Sequence, residues 1–166
     1  MISNDKIKKF NKELEERKLT IFCGESITAG LFASTIASIS GASLILKGSV
    51  VTYDKNLKIS ILGVSPDIIK EYTAESQETT TAMCYGLQKL YPFAAIYVAV
   101  TGVASFPATN DYIIDKEVGQ IYVSIYYNHI YEFNTIIKST SQNDPRNEIR
   151  DLTVEYIMEK ILEVIS

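Results

Sequence analysis

Histidine is almost missing from this chain. Its 166 residues contain one, His129. That residue follows Asn128 between two strand-like runs, where a hairpin turn is expected, so a Ser-His-Asp arrangement built on it is disfavoured. There is no C-x-x-C pair, no H-E-x-x-H and no P-loop, so no metal or ATP signature is present and no metal or organic cofactor is implied. The two cysteines, Cys23 and Cys84, fall in separate apolar patterns and read as reduced core thiols of a cytoplasmic protein. No apolar run approaches the roughly 18 residues of a membrane span. The polar, mixed-charge first twenty residues carry no signal peptide, and the expected location is cytoplasmic. A net charge of −4 argues against nucleic-acid or anionic-membrane partners held by bulk electrostatics.

What is present is enough apolar sequence, 46%, for one domain over 1–166 with a substantial core. Ile7, Phe10 and Leu14 form one stripe of a helix at 4–17. A short buried strand is expected at 19–23, a small-residue helix at 30–39 and a β-prone strand at 47–53. A short helix at 56–62 stops at Gly63, and Ser65-Pro66 opens the next. Ser76 caps a helix reaching about Tyr91. The unbroken apolar run 94–101 reads as a strand buried on both faces. A polar loop at 105–117 precedes a hairpin at 118–127 and 131–137. Asp144-Pro145 opens a last helix carrying Ile149, Leu152, Tyr156, Ile157, Ile161 and Val164 on its stripe. Alternating helices and strands with one hairpin give an α/β fold, a three-layer α/β/α sandwich around a mixed sheet.

The chemistry concentrates in IFCGESITAG, Ile21 to Gly30. A strand runs into a small-residue turn carrying Glu25, Ser26 and Thr28, and a helix follows. Ser26 admits two readings there, a helix cap or a nucleophile with a nearby base. The second feature is VVTYDKNLK at 50–58, which supplies Tyr53 and Lys58. Lys58 must be neutral to accept a proton, which requires burial or a cationic neighbour. Its flanking Leu57 and Ile59 permit burial, and Lys55 is a competing candidate.

The pattern A/G-E-S-x-T-x-G, followed by K-G-x-V-x-Y-x-x-x-x-K, resembles the C-terminal domain of CinA proteins, the nicotinamide-nucleotide amidases. Leu62-Gly63-Val64, Thr101-Gly102-Val103-Ala104, Val118-Gly119, Arg146 and Arg150 extend the resemblance over nearly the whole chain. It implies hydrolysis of the carboxamide of nicotinamide mononucleotide to nicotinic acid mononucleotide and ammonia. The catalytic residues it implies are Ser26, Lys58 and Tyr53, with Tyr53 carrying a proton toward the leaving ammonia. The expected partners are this small nucleotide and further copies of the chain in a homo-oligomer.

Around that triad, Glu25 is expected to orient Lys58 or the turn. Thr28 and backbone N–H groups up to Gly30 are expected to form an oxyanion hole, and Thr101 and Gly102 to line the substrate. Arg146 and Arg150 place two cations on one face of a helix start, where the dipole disfavours them. That excess suits a phosphate; the competing reading is pairing with Asp144, Glu148 or a neighbouring subunit. The chain departs from the family pattern at Ile27 and Ala29, where cysteine and glycine are usual. In TGVASFPATNDYIID, Ser105 and Phe106 stand where the family has a glycine and a proline. The triad positions are kept and the supporting loops changed. A serine–lysine amidase with another substrate, and a silent nucleotide-binding or assembly member, are therefore the alternatives.

Overall fold

The computed structural model describes residues 1–108 and 115–166; residues 109–114 of the loop expected at 105–117 lie outside that description. Among the described residues, five strands form one sheet in the order β2-β1-β3-β4-β5. They are β1 Ile21–Glu25, β2 Leu46–Val51, β3 Ile96–Gly102, β4 Gln120–Tyr127 and β5 His129–Ile136. β1 is parallel to β2 and β3, while β3, β4 and β5 pair antiparallel, so the sheet is mixed. The α-helices described are α1 Asn4–Glu16, α2 Leu31–Ala37, α3 Lys55–Leu62, α4 Pro66–Tyr72, α5 Gln77–Leu90 and α6 Pro145–Ile165, and they cover the sheet.

Strand alternation divides the core in two. Ile96, Val98 and Val100 of β3 face a cluster holding Phe10 and Leu14 of α1, Phe32 and Ile36 of α2, and Ile157 and Ile161 of α6. Tyr97 and Ala99 point the other way, onto Leu62 of α3 and Met83, Cys84 and Leu87 of α5. The two cysteines lie in opposite clusters, and burial pushes both thiols up, Cys84 to about 12. Among the described residues no helix is long and apolar enough to cross a membrane.

Two boundaries differ from the sequence reading in ways that build the site. β1 runs on to Glu25 because Gly24 and Glu25 stay paired with both β2 and β3. β2 ends at Val51 despite the β-prone Thr52 and Tyr53. Thr52 N–H donates to the Glu25 carbonyl (2.9 Å), and Asp54 then caps α3 by accepting from Asn56 N–H (2.7 Å). The chain thus turns at 52–54, over the carboxyl end of β1. The hairpin turn expected near His129 is present: Asn128 has φ 64°, and His129 opens β5 with its ring 4.1 Å from that of Tyr131.

Candidate active site

In an open α/β sheet the natural crevice lies beyond the carboxyl ends of adjacent parallel strands from which the chain departs in opposite directions. Here those strands are β1 and β3. The chain leaves β1 toward β2 and leaves β3 toward β4. A cavity of about 640 Å³ opens there, lined by Ser26 and Ile27 after β1, Tyr53 to Lys55 before α3, Ala74 and Glu75 before α5, residues 102–108 after β3, and Arg146 of α6.

The turn after β1 is shaped by Glu25. Its carboxylate is fully buried and accepts five hydrogen bonds. Oε2 takes Thr28 Oγ1 (2.7 Å), Gly30 N–H (2.9 Å) and Phe32 N–H (3.1 Å); Oε1 takes Ala33 N–H (3.0 Å) and Ser49 Oγ (2.9 Å). Gly30, at φ 93°, is the N-cap of α2 and has no side chain to cap with. Glu25 supplies the missing acceptor from the strand, where its negative charge also meets the positive end of the helix dipole. Ser26 is therefore not the helix cap. Its side chain is left to line the cavity, with its N–H bound to the Val100 carbonyl (3.1 Å).

Lys58 meets Ser26 from behind. Its side chain is 1% exposed, and Nζ lies 3.0 Å from Ser26 Oγ, 2.6 Å from the Thr52 carbonyl and 3.2 Å from the Tyr53 carbonyl. α3 points Lys58 inward because Asp54 starts the helix one turn earlier. Burial lowers the amine from the ordinary 10.5 to about 8, against the opposing charges of Glu75 and Asp54. About a tenth of the amines are then neutral at pH 7. The competing Lys55 is exposed at the cavity mouth. The structure thus gives a buried amine, partly neutral near physiological pH, within hydrogen-bond reach of a serine that faces an open cavity.

The remaining sequence-selected residues separate. Tyr53 lines the cavity at 54% exposed, but its hydroxyl accepts from Arg146 Nη2 (2.7 Å) and makes no hydrogen bond to Ser26 or Lys58. Thr28 and Gly30 spend the hydroxyl and the N–H on Glu25, so the oxyanion hole expected of them is not available from those two donors. Thr101 lies behind the cavity wall, its buried hydroxyl paired with Thr80 Oγ1 (2.8 Å). Gly102 does line the cavity. A Cβ there would stand 2.7 Å from the Gln120 carbonyl and 3.0 Å from Ile27 Cδ1, so close packing requires its glycine.

The arginine pair is also divided. Arg146 reaches the cavity rim, donating to Ser105 Oγ (2.5 Å) and Tyr53 Oη. Arg150 instead donates to the Thr28 carbonyl (2.9 Å) and Asn147 Oδ1 (2.8 Å), bracing the turn that carries Ser26. Among the described residues neither pairs with the nearby acids. Asp144 caps α6, and Glu148 accepts from Ser139, Thr140 and Ser141, which hold its carboxyl at about 2. Sequence reasoning did not single out Asp54 or Glu75 as cavity residues. Asp54 was readable as a cap ahead of α3; Glu75 lies in a connecting stretch with no local signal.

The sequence model of the CinA C-terminal domain matches residues 4–165. A CinA-like protein of Prochlorococcus marinus is 36% identical over 152 residues, covering 90% of this chain and 34% of that protein. The chain thus spans about a third of the length of such relatives. Protein MG115 homolog of Mycoplasma pneumoniae is 34% identical and matches over 93% of this chain and 94% of its own length. The crystal structure of competence/damage inducible protein CihA from Agrobacterium tumefaciens superposes with a TM-score of 0.84 at 24% identity, covering 98% of this chain and 94% of that one. A CinA superfamily protein from Klebsiella pneumoniae gives 0.86 at 18% identity, covering 98% and 97%. These two show the same fold. With the family match running almost end to end, the chain belongs to the CinA C-terminal domain family.

Proposed function

We propose that this chain is a serine–lysine amidase that hydrolyses the carboxamide of nicotinamide mononucleotide to nicotinic acid mononucleotide and ammonia. The observation that carries the reading is the 3.0 Å contact between Lys58 Nζ and Ser26 Oγ at the cavity wall. Neutral Lys58 takes the Ser26 proton as Oγ attacks the carboxamide carbon. The oxyanion so formed needs donors. The N–H groups of Ile27 and Thr28 have no hydrogen-bond partner among the described residues and lie in the turn directly after Ser26, so they are assigned that role.

The Lys58 ammonium then returns its proton to the amide nitrogen. The C–N bond breaks, ammonia leaves, and an acyl ester remains on Ser26. Water attacks that ester, Lys58 again taking a proton, and the ester bond breaks as Lys58 returns that proton to Ser26 Oγ, releasing the carboxylic acid and regenerating Ser26 and the neutral amine. Lys58 is the proton carrier in every step because it is the titratable group in contact with Ser26. Tyr53 is assigned to orienting Arg146, and Arg146 to the phosphate of the substrate. Incubation of the purified protein with nicotinamide mononucleotide, with ammonia and nicotinic acid mononucleotide both quantified, tests the reading. Equal amounts of the two products support it. Tight binding without either product would place the chain among silent nucleotide binders.

A further inference from the structure

A second cavity, of about 380 Å³, lies between α3 and α4. Lys55 and Ala74 line both it and the catalytic cavity, so the two are neighbours. Ile59 of α3 and Pro66 and Ile69 of α4 give it an apolar wall. Among the described residues its charged lining groups are two cations, Lys55 and Lys70, in a chain of net charge −4. Helical spacing explains the sign. Pro66, Ile69, Lys70 and Thr73 share one face, while the acids of α4, Asp67 and Glu71, do not line the cavity. Neither lysine joins an ion pair among the described residues. The wall beside Ala74 is held under strain. Thr73 has φ 74° and ψ 170°, a conformation that a β-branched residue rarely adopts. Its N–H donates to the Ile69 carbonyl (2.9 Å), and its own carbonyl accepts from Thr79 Oγ1 (2.7 Å) and Ser76 Oγ (3.1 Å). Backbone fixed out of its ordinary wells by its surroundings is a feature of ligand clamps.

We propose that the cavity between α3 and α4 is a second binding site, for a small organic phosphomonoester with an apolar body, and that filling it weakens an anionic ligand of the catalytic cavity through Lys55. A phosphomonoester brings a charge near two and three acceptor oxygens, which suits two ammonium groups without acid partners. The wall of Ile59, Pro66 and Ile69 takes the apolar body, and the volume lies in the range of small-molecule sites. Lys55 couples the cavities because it lines both, and an ammonium drawn to an anion in one is withdrawn from the other. The site stands apart from the amidase reading; its effect on turnover rests on that reading.

The probe is phenyl phosphate. It is titrated calorimetrically into Arg146→Ala, which lacks the rim cation of the catalytic cavity, and into Arg146→Ala combined with Lys70→Glu. Saturable binding is expected in the first, weakened about tenfold or more in the second. Inorganic phosphate and phenol, the two halves of the probe, should each bind Arg146→Ala about tenfold more weakly than the whole. No saturable binding, equal affinity in the two variants, or inorganic phosphate binding as tightly as the probe overturns the site. Ammonia release from nicotinamide mononucleotide is then followed in the wild type and Lys70→Glu. Phenyl phosphate should raise the wild-type KM about fivefold and then level off as the second site fills, and Lys70→Glu should not respond. A KM that climbs without limit, or equally in both proteins, places the probe in the catalytic cavity and overturns the coupling. A protein that binds the probe as expected but releases no ammonia ends the amidase reading and leaves the site in place.

Discussion

Raising the pH from 7 to 9 should increase kcat/KM for carboxamide hydrolysis about tenfold, with the inflection near 8. Lys58 is held at about 8 by burial, so its neutral fraction climbs from about a tenth to about nine-tenths over that range. The same shift has a thermodynamic counterpart. The amine is lowered on folding, so the folded protein disfavours its charge. Below pH 8 both folded and unfolded states carry the proton, and the whole cost is present. Between 8 and 10.5 the unfolded chain binds the extra proton, and stability rises with pH by up to about 1.4 kcal/mol per unit. The total is about 3 kcal/mol, reached as the pH passes the unfolded value.

Lys58→Met removes this titration. It also leaves the Thr52 and Tyr53 carbonyls without their Lys58 donor, so its stability at a single pH mixes opposing effects. The slope does not. Urea unfolding of the wild type and Lys58→Met from pH 7 to 10 should show the wild type gaining about 2–3 kcal/mol relative to the variant. Other titrating groups cancel in the difference. Parallel stability profiles, or a rate profile flat from pH 7 to 9, would refute the assignment of Lys58 as a buried, lowered amine.

Four further outcomes follow from the contacts at the turn, at the rim and between α3 and α5. Glu25→Gln puts an amide group among five donors and should lower stability by about 2–4 kcal/mol, read as a fall in thermal midpoint of roughly 5–15 °C. An unchanged midpoint would mean that Glu25 does not hold α2. Gly86→Ala drives a Cβ to 2.0 Å from the Leu62 carbonyl, and chemical denaturation should show a loss of more than about 3 kcal/mol. Arg150→Ala should reduce kcat on the mononucleotide and on nicotinamide riboside alike, since Arg150 braces the Thr28 carbonyl. Arg146→Ala should raise KM about tenfold or more on the mononucleotide alone.

The elements were legible where local chemistry and packing agree. The caps at Ser65, Ser76 and Asp144 and the stop at Gly63 stand where sequence placed them. The alternation of helices and strands gave the layered fold. β2 was read too long because Thr52 and Tyr53 favour strand locally. A tertiary hydrogen bond from Thr52 to Glu25 and the Asp54 cap end it instead. Lys58 was placed by its apolar neighbours and by the family spacing, and its burial agrees. The partners of Glu25 were not readable, since its donors come from α2 and from Ser49, 24 residues on. Nor was the division of the arginines. Four-residue spacing puts Arg146 and Arg150 on one helix face, but only the fold shows that one reaches the rim and the other the Thr28 carbonyl.

The central claim is that Ser26 is the attacking group and Lys58 its base. The most direct measurement is ammonia release from nicotinamide mononucleotide by the wild type and by Ser26→Ala, assayed side by side near pH 8.5 on protein shown to be folded. Removing a hydroxyl whose only hydrogen bond among the described residues is to Lys58 should leave the midpoint of unfolding nearly unchanged and reduce turnover at least a thousandfold. Ammonia release by Ser26→Ala within tenfold of the wild type would contradict the covalent mechanism.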